Sequence, residues 1–219
     1  MAFEISVQVK RAGGFQEATL RFGADADIGR IRNWKDFLAA DATSTAKEAA
    51  DYAQESITRW EKHRAIGRVA TGPDDFSSLI LAKPDEDIAL LLVVEADWWQ
   101  ANDLFGFAYL RRTWTGSLYM EYLAKHPMTT YSDPPDLKVS GLIEAVLVGL
   151  ASLIDSIRED HRPAWVWWES TKGSAKVYEK FFAPTIPNDL VIVSAKELAG
   201  CHCQIIHQVW PDKDLHGSG

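Results

Sequence analysis

The sequence predicts an α+β fold: a mixed sheet of about six to seven strands, opening with an antiparallel meander, with helices on both faces and an N-terminal β-hairpin in front. Three patterns predict it. Short alternating segments are separated by turns too tight to join parallel neighbours. Two stretches near the N-terminus repeat at helical spacing instead. A long apolar helix pattern then separates the meander from further strand and helix segments.

Ile5, Val7 and Val9 alternate with polar residues, as do Ala18, Leu20 and Phe22 after the turn-like Ala12-Gly13-Gly14, which gives the hairpin. Ile28, Ile31, Trp34, Phe37 and Leu38 recur every three or four residues and predict a helix to about Ala40. Thr45 followed by Glu48 matches a capping box and opens a second helix to about Ile66. Phe76–Leu81, Ile88–Val94, Leu104–Arg111 and Leu118–Ala124 form the expected meander. After the loop Tyr131–Asp136, a helix over Lys138–Ile157 carries a wide apolar stripe and is expected to be deeply buried. A strand at Ala164–Trp168, a helix at Ser174–Phe182 and strands at Leu190–Val193 and Gln204–Trp210 complete the order.

The chain has 219 residues, a 47% hydrophobic composition and a formal charge of −8. That length suits one domain, here divided into a hairpin with two helices (1–75), a core (76–210) and a tail (211–219). An acidic balance argues against general nucleic-acid binding, which needs a basic face. The Gly141–Ile154 run contains Glu144 and is too short to span a bilayer. The first residues lack the charged-then-apolar layout of a signal peptide, and Cys201 and Cys203 form no disulfide framework, so a cytoplasmic setting is expected.

Three local motifs add a family resemblance. Gly106-Phe107-Ala108-Tyr109-Leu110 looks like a "G-x-a-x-l" central strand, and Ser117–Pro127 (SLYMEYLAKHP) looks like the strand after it, ending in proline. Ser174–Lys180 (SAKVYEK) looks like an "A-x-x-L-Y-E-K" helix. In this order, over roughly Ile88 to Trp210, the chain resembles the GNAT-type N-acetyltransferase superfamily. It departs from the family at the cofactor signature Arg/Gln-x-x-Gly-x-Gly/Ala, where the aligned residues are Lys138-Val139-Ser140-Gly141-Leu142-Ile143. Thr171 stands where the family has asparagine, and the loop Met128–Leu137 is long and carries two prolines.

The resemblance implies acetyl-CoA as co-substrate, with no metal, and an amine acceptor that is a small molecule or a peptide. It places the cofactor loop at Lys138, Val139, Ser140, Gly141 and Leu142, with Thr171 nearby. Main-chain N–H groups around Leu123 to Lys125 would receive the oxyanion. Anions suit such a loop because a helix N-terminus presents unsatisfied N–H groups and the positive end of its dipole. By the same resemblance Tyr178 is the acid for the departing thiolate. Glu121 is the base, with Glu95 and Asp97 as weaker candidates. Each has a plainer alternative: a buried core helix whose N-terminus Asp136 already caps, a core tyrosine, and a surface carboxylate. The rival function is a GNAT-like protein that binds a partner and catalyses nothing, and a homodimer is compatible with either. Neither nucleic acid nor membrane is expected as a partner.

Two further features carry expectations. Cys201, Cys203 and His207 share one face if they lie on a strand, but three ligands at that spacing make a poor zinc site. Among the nine tryptophans, Trp34 and Trp60 read as core. Trp165, Trp167 and Trp168 must occupy both faces of a central strand, expected to be covered on both sides. Trp98, Trp99 and Trp114 fall at strand ends and turns, where an exposed contact surface is expected.

Overall fold

The computed structural model describes residues 3–99, 104–130, 137–171, 174–182 and 189–210. The expected 211–219 tail, Asp136 and most of the 128–137 loop lie outside them. Strands β1 (Glu4–Arg11) and β2 (Gly14–Phe22) form the N-terminal hairpin. Helix α1 (Asp25–Arg32) runs into a 3-10 turn (Asn33–Phe37), followed by α2 (Ser44–Ala65), the two-residue β3 (Val69–Ala70) and α3 (Pro73–Ala82). Then come β4 (Ile88–Glu95), β5 (Gly106–Arg112), β6 (Leu118–Lys125) and α4 (Leu142–Ser156). Strand β7 (Trp165–Glu169), the one-turn α5 (Ala175–Tyr178), β8 (Leu190–Ser194) and α6 (Ala195–Gln204) close the order.

These strands make one open mixed sheet in the order β1-β2-β4-β5-β6-β7-β8, with β3 beside β4. All neighbours are antiparallel except β6–β7 and β3–β4. The α+β class, the mixed sheet and the N-terminal hairpin agree with the sequence-based expectation. Two expected strands do not. Phe76–Leu81 lies in α3, where Pro73 at the start and Asp74 and Asp75 in the first turn suit a helix N-terminus, and Phe76 and Ile80 share its buried face. Gln204–Trp210 continues α6 as a turn of π-helix over Ile205–Val209, because the Ser194/Glu197 capping box starts a helix directly after β8. The α2 cap is Thr43, whose hydroxyl accepts the Ala46 N–H, rather than Thr45. The predicted helices at 138–157 and 174–182 shorten to 142–156 and 175–178.

Hydrophobic cores form on both sides of the sheet. One lies under α3, α4 and α6 and includes Leu90, Leu92, Leu110, Met120 and Leu150; the other lies under α1 and α2 and includes Trp34, Trp60, Leu91, Phe107 and Tyr109. A strand buried on both faces reads as an unbroken apolar run, which is why β4 is IALLLVVE. The same reasoning makes α4 apolar nearly all round: the sheet covers one side of it and α6 another.

A compact ion cluster ties the hairpin, α1 and β4 together. Arg21 on β2 donates from Nη1 to Asp27 Oδ2 at 2.8 Å and from Nε to Glu95 Oε1 at 2.7 Å. Arg30 Nη1 reaches the same two carboxylates at 3.0 and 2.9 Å, and Asp27 also accepts the Ala24 N–H at the start of α1. Burial alone would raise the Asp27 carboxyl, but its hydrogen bonds to Arg21, Ala24 and Arg30 and the Arg21 charge hold it below the usual value; Glu95 is lowered chiefly by Arg21. Both contribute stability that is full above the unfolded carboxyl values and is lost as pH falls through the lower folded values. Replacing Arg21 by Met leaves Asp27 buried beside a single cation and is expected to cost about 2 kcal/mol. Urea titrations from neutral to acid pH should show wild-type stability falling below about pH 4, with a shallower fall in Arg21→Met.

Candidate functional site

The parallel pair β6–β7 stays together for only three residues. Leu118, Tyr119 and Met120 pair with Val166, Trp167 and Trp168, after which no described residue of β7 pairs with β6, although β6 continues to Lys125. Among the described residues the two strands therefore part at Met120 and Trp168, and the sheet is open, with no paired strand, along the second half of β6.

A bulge in β6 sits at the parting point. On β5, Tyr109 pairs with Tyr122 but the adjacent Leu110 pairs with Met120, so Glu121 is the extra residue. The insertion inverts the side-chain alternation: Leu118 and Met120 belong to the α4-side core, whereas Tyr122 and Ala124 belong to the α2-side core. It also fixes where the main chain points. His126 N–H donates to Phe105 O at 2.8 Å, so alternation along the strand turns the N–H groups of Tyr122 and Ala124 toward β5 and those of Leu123 and Lys125 into the opening.

Helix α4 begins against this end of β6. Leu142 lies over Gly106, the partner of Lys125, so closely that a Cβ on Gly106 would stand 2.5 Å from a Leu142 methyl. Gly141 precedes the helix at φ 90°, a left-handed conformation, and a Cβ there would stand 3.5 Å from the Val9 and Lys10 backbone. Glycine suits that left-handed backbone, which residues with a side chain rarely adopt, and the contact with β1 is an ordinary one. Among the described residues no side chain caps α4. The N–H groups of Leu142, Ile143 and Glu144 belong to the first turn, which lacks intrahelical acceptors. Ser140 differs: its N–H donates to Lys10 O at 2.9 Å and its carbonyl accepts the Lys10 N–H at 2.8 Å. That bridge withdraws Ser140 N–H from the anion role expected of it. Val139 is buried in the core, and Lys138 is exposed.

Lys125 and Lys138 come close enough to sense one another. Burial, and then the Lys138 charge, lower the Lys125 ammonium below its usual value. Neither lysine pairs with a carboxylate among the described residues. Tyr178 packs on Trp168 with ring centroids 5.0 Å apart, on the α4 side of the parting point. It is 4% exposed, and burial, then the Glu144 charge, raise its phenol well above the usual range, so it stays protonated. Thr171 and Ser174 exchange hydrogen bonds of 3.0 and 3.3 Å and start the α5 turn, without a described contact to the lysines.

Glu121 faces α2, across the sheet from Tyr178. Its Oε1 meets Arg59 Nε at 3.0 Å and its Oε2 meets Arg111 Nε at 2.8 Å. Arg111 also binds Asp87, and Arg59 donates to the Tyr122 hydroxyl, which in turn donates to Glu55. Both carboxylate oxygens of Glu121 are thus engaged by arginines. Beside the network is a polar pocket of about 380 Å3, lined by Arg59, His63, Arg68, Asp87 and Arg111 among others. Glu95 belongs to the distant Arg21 cluster, and Asp97 is exposed beyond β4. The structure thus puts Leu142 over the partner of Lys125, Lys138 near Lys125, and Tyr178 on Trp168 at the parting point, with Glu121 on the other face of the sheet.

Cys201 and Cys203 lie on α6, not on a strand, so Cys201 is buried while Cys203 is exposed. Among the described residues no group of three or more His, Cys, Asp or Glu side chains is placed to hold a metal, and no helix is long and apolar enough to cross a membrane. The arginine partners of Glu121 escaped sequence reasoning. Arg111 was within reach as a neighbour on an antiparallel strand, but Arg59 becomes adjacent only when α2 docks. No protein-family model matches this chain, and no curated protein matches it. Removing Glu121 leaves Arg59 and much of Arg111 uncompensated, so Glu121→Ala should lower stability in urea by about 2 kcal/mol. Glu169→Ala, at an exposed position, should change it by less than about 0.5 kcal/mol.

Proposed function

We propose that this protein is an acyl-CoA-dependent N-acyltransferase, transferring an acetyl group to a primary amine by direct attack in a ternary complex. The observation that carries this reading is the opening between β6 and β7, into which the main-chain N–H groups of Leu123 and Lys125 point beside the start of α4, which no side chain among the described residues caps. Acyl transfer to an amine needs a donor for the tetrahedral oxyanion, a site for the cofactor's anionic groups, and an acid for the departing sulfur. Leu123 or Lys125 N–H serves as the oxyanion donor. The first turn of α4, with Lys125 and Lys138, receives the pyrophosphate of acetyl-CoA. The protonated Tyr178 phenol donates toward the thiolate. Glu121, on the acceptor side, takes the ammonium proton while releasing one arginine.

A second reading, binding without catalysis, draws support from three observations. The Ser140 N–H is already used by Lys10, Glu144 places a negative charge in the first turn of α4, and Tyr178 is nearly enclosed. Calorimetric titration with acetyl-CoA separates the two. The enzyme reading expects saturable binding that weakens about tenfold in Lys125→Ala and in Lys138→Ala. It also expects Tyr178→Phe to lower kcat for acetylation of a test amine with little change in KM. Absence of binding at millimolar acetyl-CoA would remove the enzyme reading and leave the fold untouched.

A further inference from the structure

The α2 side of the sheet is only partly covered. No residue of β7 or β8 belongs to the core beneath α1 and α2, and on that face Trp165 is 50% exposed and Ile192 37%. Among the described residues the expected cover on both faces of β7 is therefore incomplete on one. The register sets Arg111, Tyr119, Trp167 and Ile192 side by side across β5, β6, β7 and β8. Tyr119 and Trp167 stack at 3.9 Å with their planes 16° apart, and the Arg111 guanidinium lies 5.6 Å from the Tyr119 ring centre. Trp167 Nε1 is pinned by Ser117 Oγ at 3.1 Å. The row is thus a preorganised aromatic rib, with Trp165 and Ile192 standing open beside it. Such rigid, partly exposed aromatics are what interaction hot spots are built from.

The charges around this face select its occupant. Arg59 and Arg111 are engaged by Glu121, Asp87 and Tyr122. The exposed acids are Glu169 on β7, Glu197 at the start of α6 beside the end of β8, with the exposed Lys196 next to it, and Glu55 on α2, which lies along β6. Glu169 lies near enough to add to the burial that raises the Tyr119 phenol. A second copy of this acidic chain would bring Glu169 and Glu197 against like charge. The outer edge of β8 is also shortened, because the Glu197 carboxylate already accepts the Ser194 N–H. Anionic ligands meet the same repulsion.

We propose that the open face of β7 and β8 is a docking surface for a basic, apolar-bearing segment of another polypeptide. Its apolar side chains cover Trp165 and Ile192, and its cations meet Glu169 and Glu197. The surface borders the opening at Glu169 and shares Arg111 with the Glu121 network, so it is tested on the full chain without acetyl-CoA. Calorimetry and tryptophan fluorescence with a short synthetic peptide alternating lysine and valine should show saturable binding. Trp165→Ser should weaken it about thirtyfold, Ile192→Ser by less, and Glu169→Lys about fivefold. These positions are exposed, so far-UV spectra should match the wild type. Four outcomes overturn the proposal: no binding of the lysine–valine peptide; equal binding of a glutamate–valine peptide; equal binding of a lysine–serine peptide, which would mean charge alone; and a concentration-dependent dimer in sedimentation that Trp165→Ser abolishes.

Discussion

The parting of β6 from β7 depends on how one strand satisfies two cores at once. Leu118 and Met120 must enter the core under α4, while Tyr122 and Ala124 must enter the core under α2. A regular strand cannot do this, because its side chains alternate strictly. The extra residue at Glu121 resolves the conflict, and it leaves a carboxylate on the α2 side that two arginines neutralise. A bulge also bends and twists its strand locally, and here it lies directly after the last β6–β7 pair. The opening, the ion-pair network and the direction of the Leu123 and Lys125 N–H groups all follow from that residue.

The N-terminal hairpin fixes the other wall of the opening. β1 bonds to Ser140 through both the N–H and the carbonyl of Lys10, and Gly141 follows in a left-handed conformation beside the Val9–Lys10 backbone. Helix α4 is thereby started at a defined point, with Leu142 seated over Gly106. The Arg21 cluster anchors that hairpin in turn to α1 and β4. Site geometry is therefore coupled to the sheet edge through packing and a few ion pairs rather than through a flexible loop. One consequence is specific: the glycine that a cofactor motif would need for close phosphate approach is already favoured here by its left-handed backbone.

The aromatic content divides along the same lines. Trp34 and Trp60 are buried under the sheet, as their helical spacing indicated, and Trp99 joins the opposite core. Trp98 is half-buried, with Arg11 over its ring and its Nε1 donating to Glu17 O, so it offers less free surface than its position at a strand end suggested. Trp114 is exposed as expected. Trp165 is exposed as well, on a strand expected to be covered, because α2 extends only as far as β6.

Periodicity alone determined most of the elements: the hairpin, α2, β4 to β6, α4 and β7 are visible because each buries a face or a whole surface, and burial imprints a period on the residues that supply it. It failed at Phe76–Leu81 and Gln204–Trp210, short apolar runs in which helix and strand periods cannot be told apart. Tyr178, Lys125 and Gly141 were singled out by a family resemblance; Gly141 starts α4, Lys125 ends β6, and Tyr178 packs on Trp168. Sequence could not show that Lys10 occupies Ser140, that Arg59 and Arg111 hold Glu121, or that Trp165 on β7 stands exposed. Those are contacts between residues far apart in the chain, set by where helices and the hairpin dock, and no local pattern encodes a docking position.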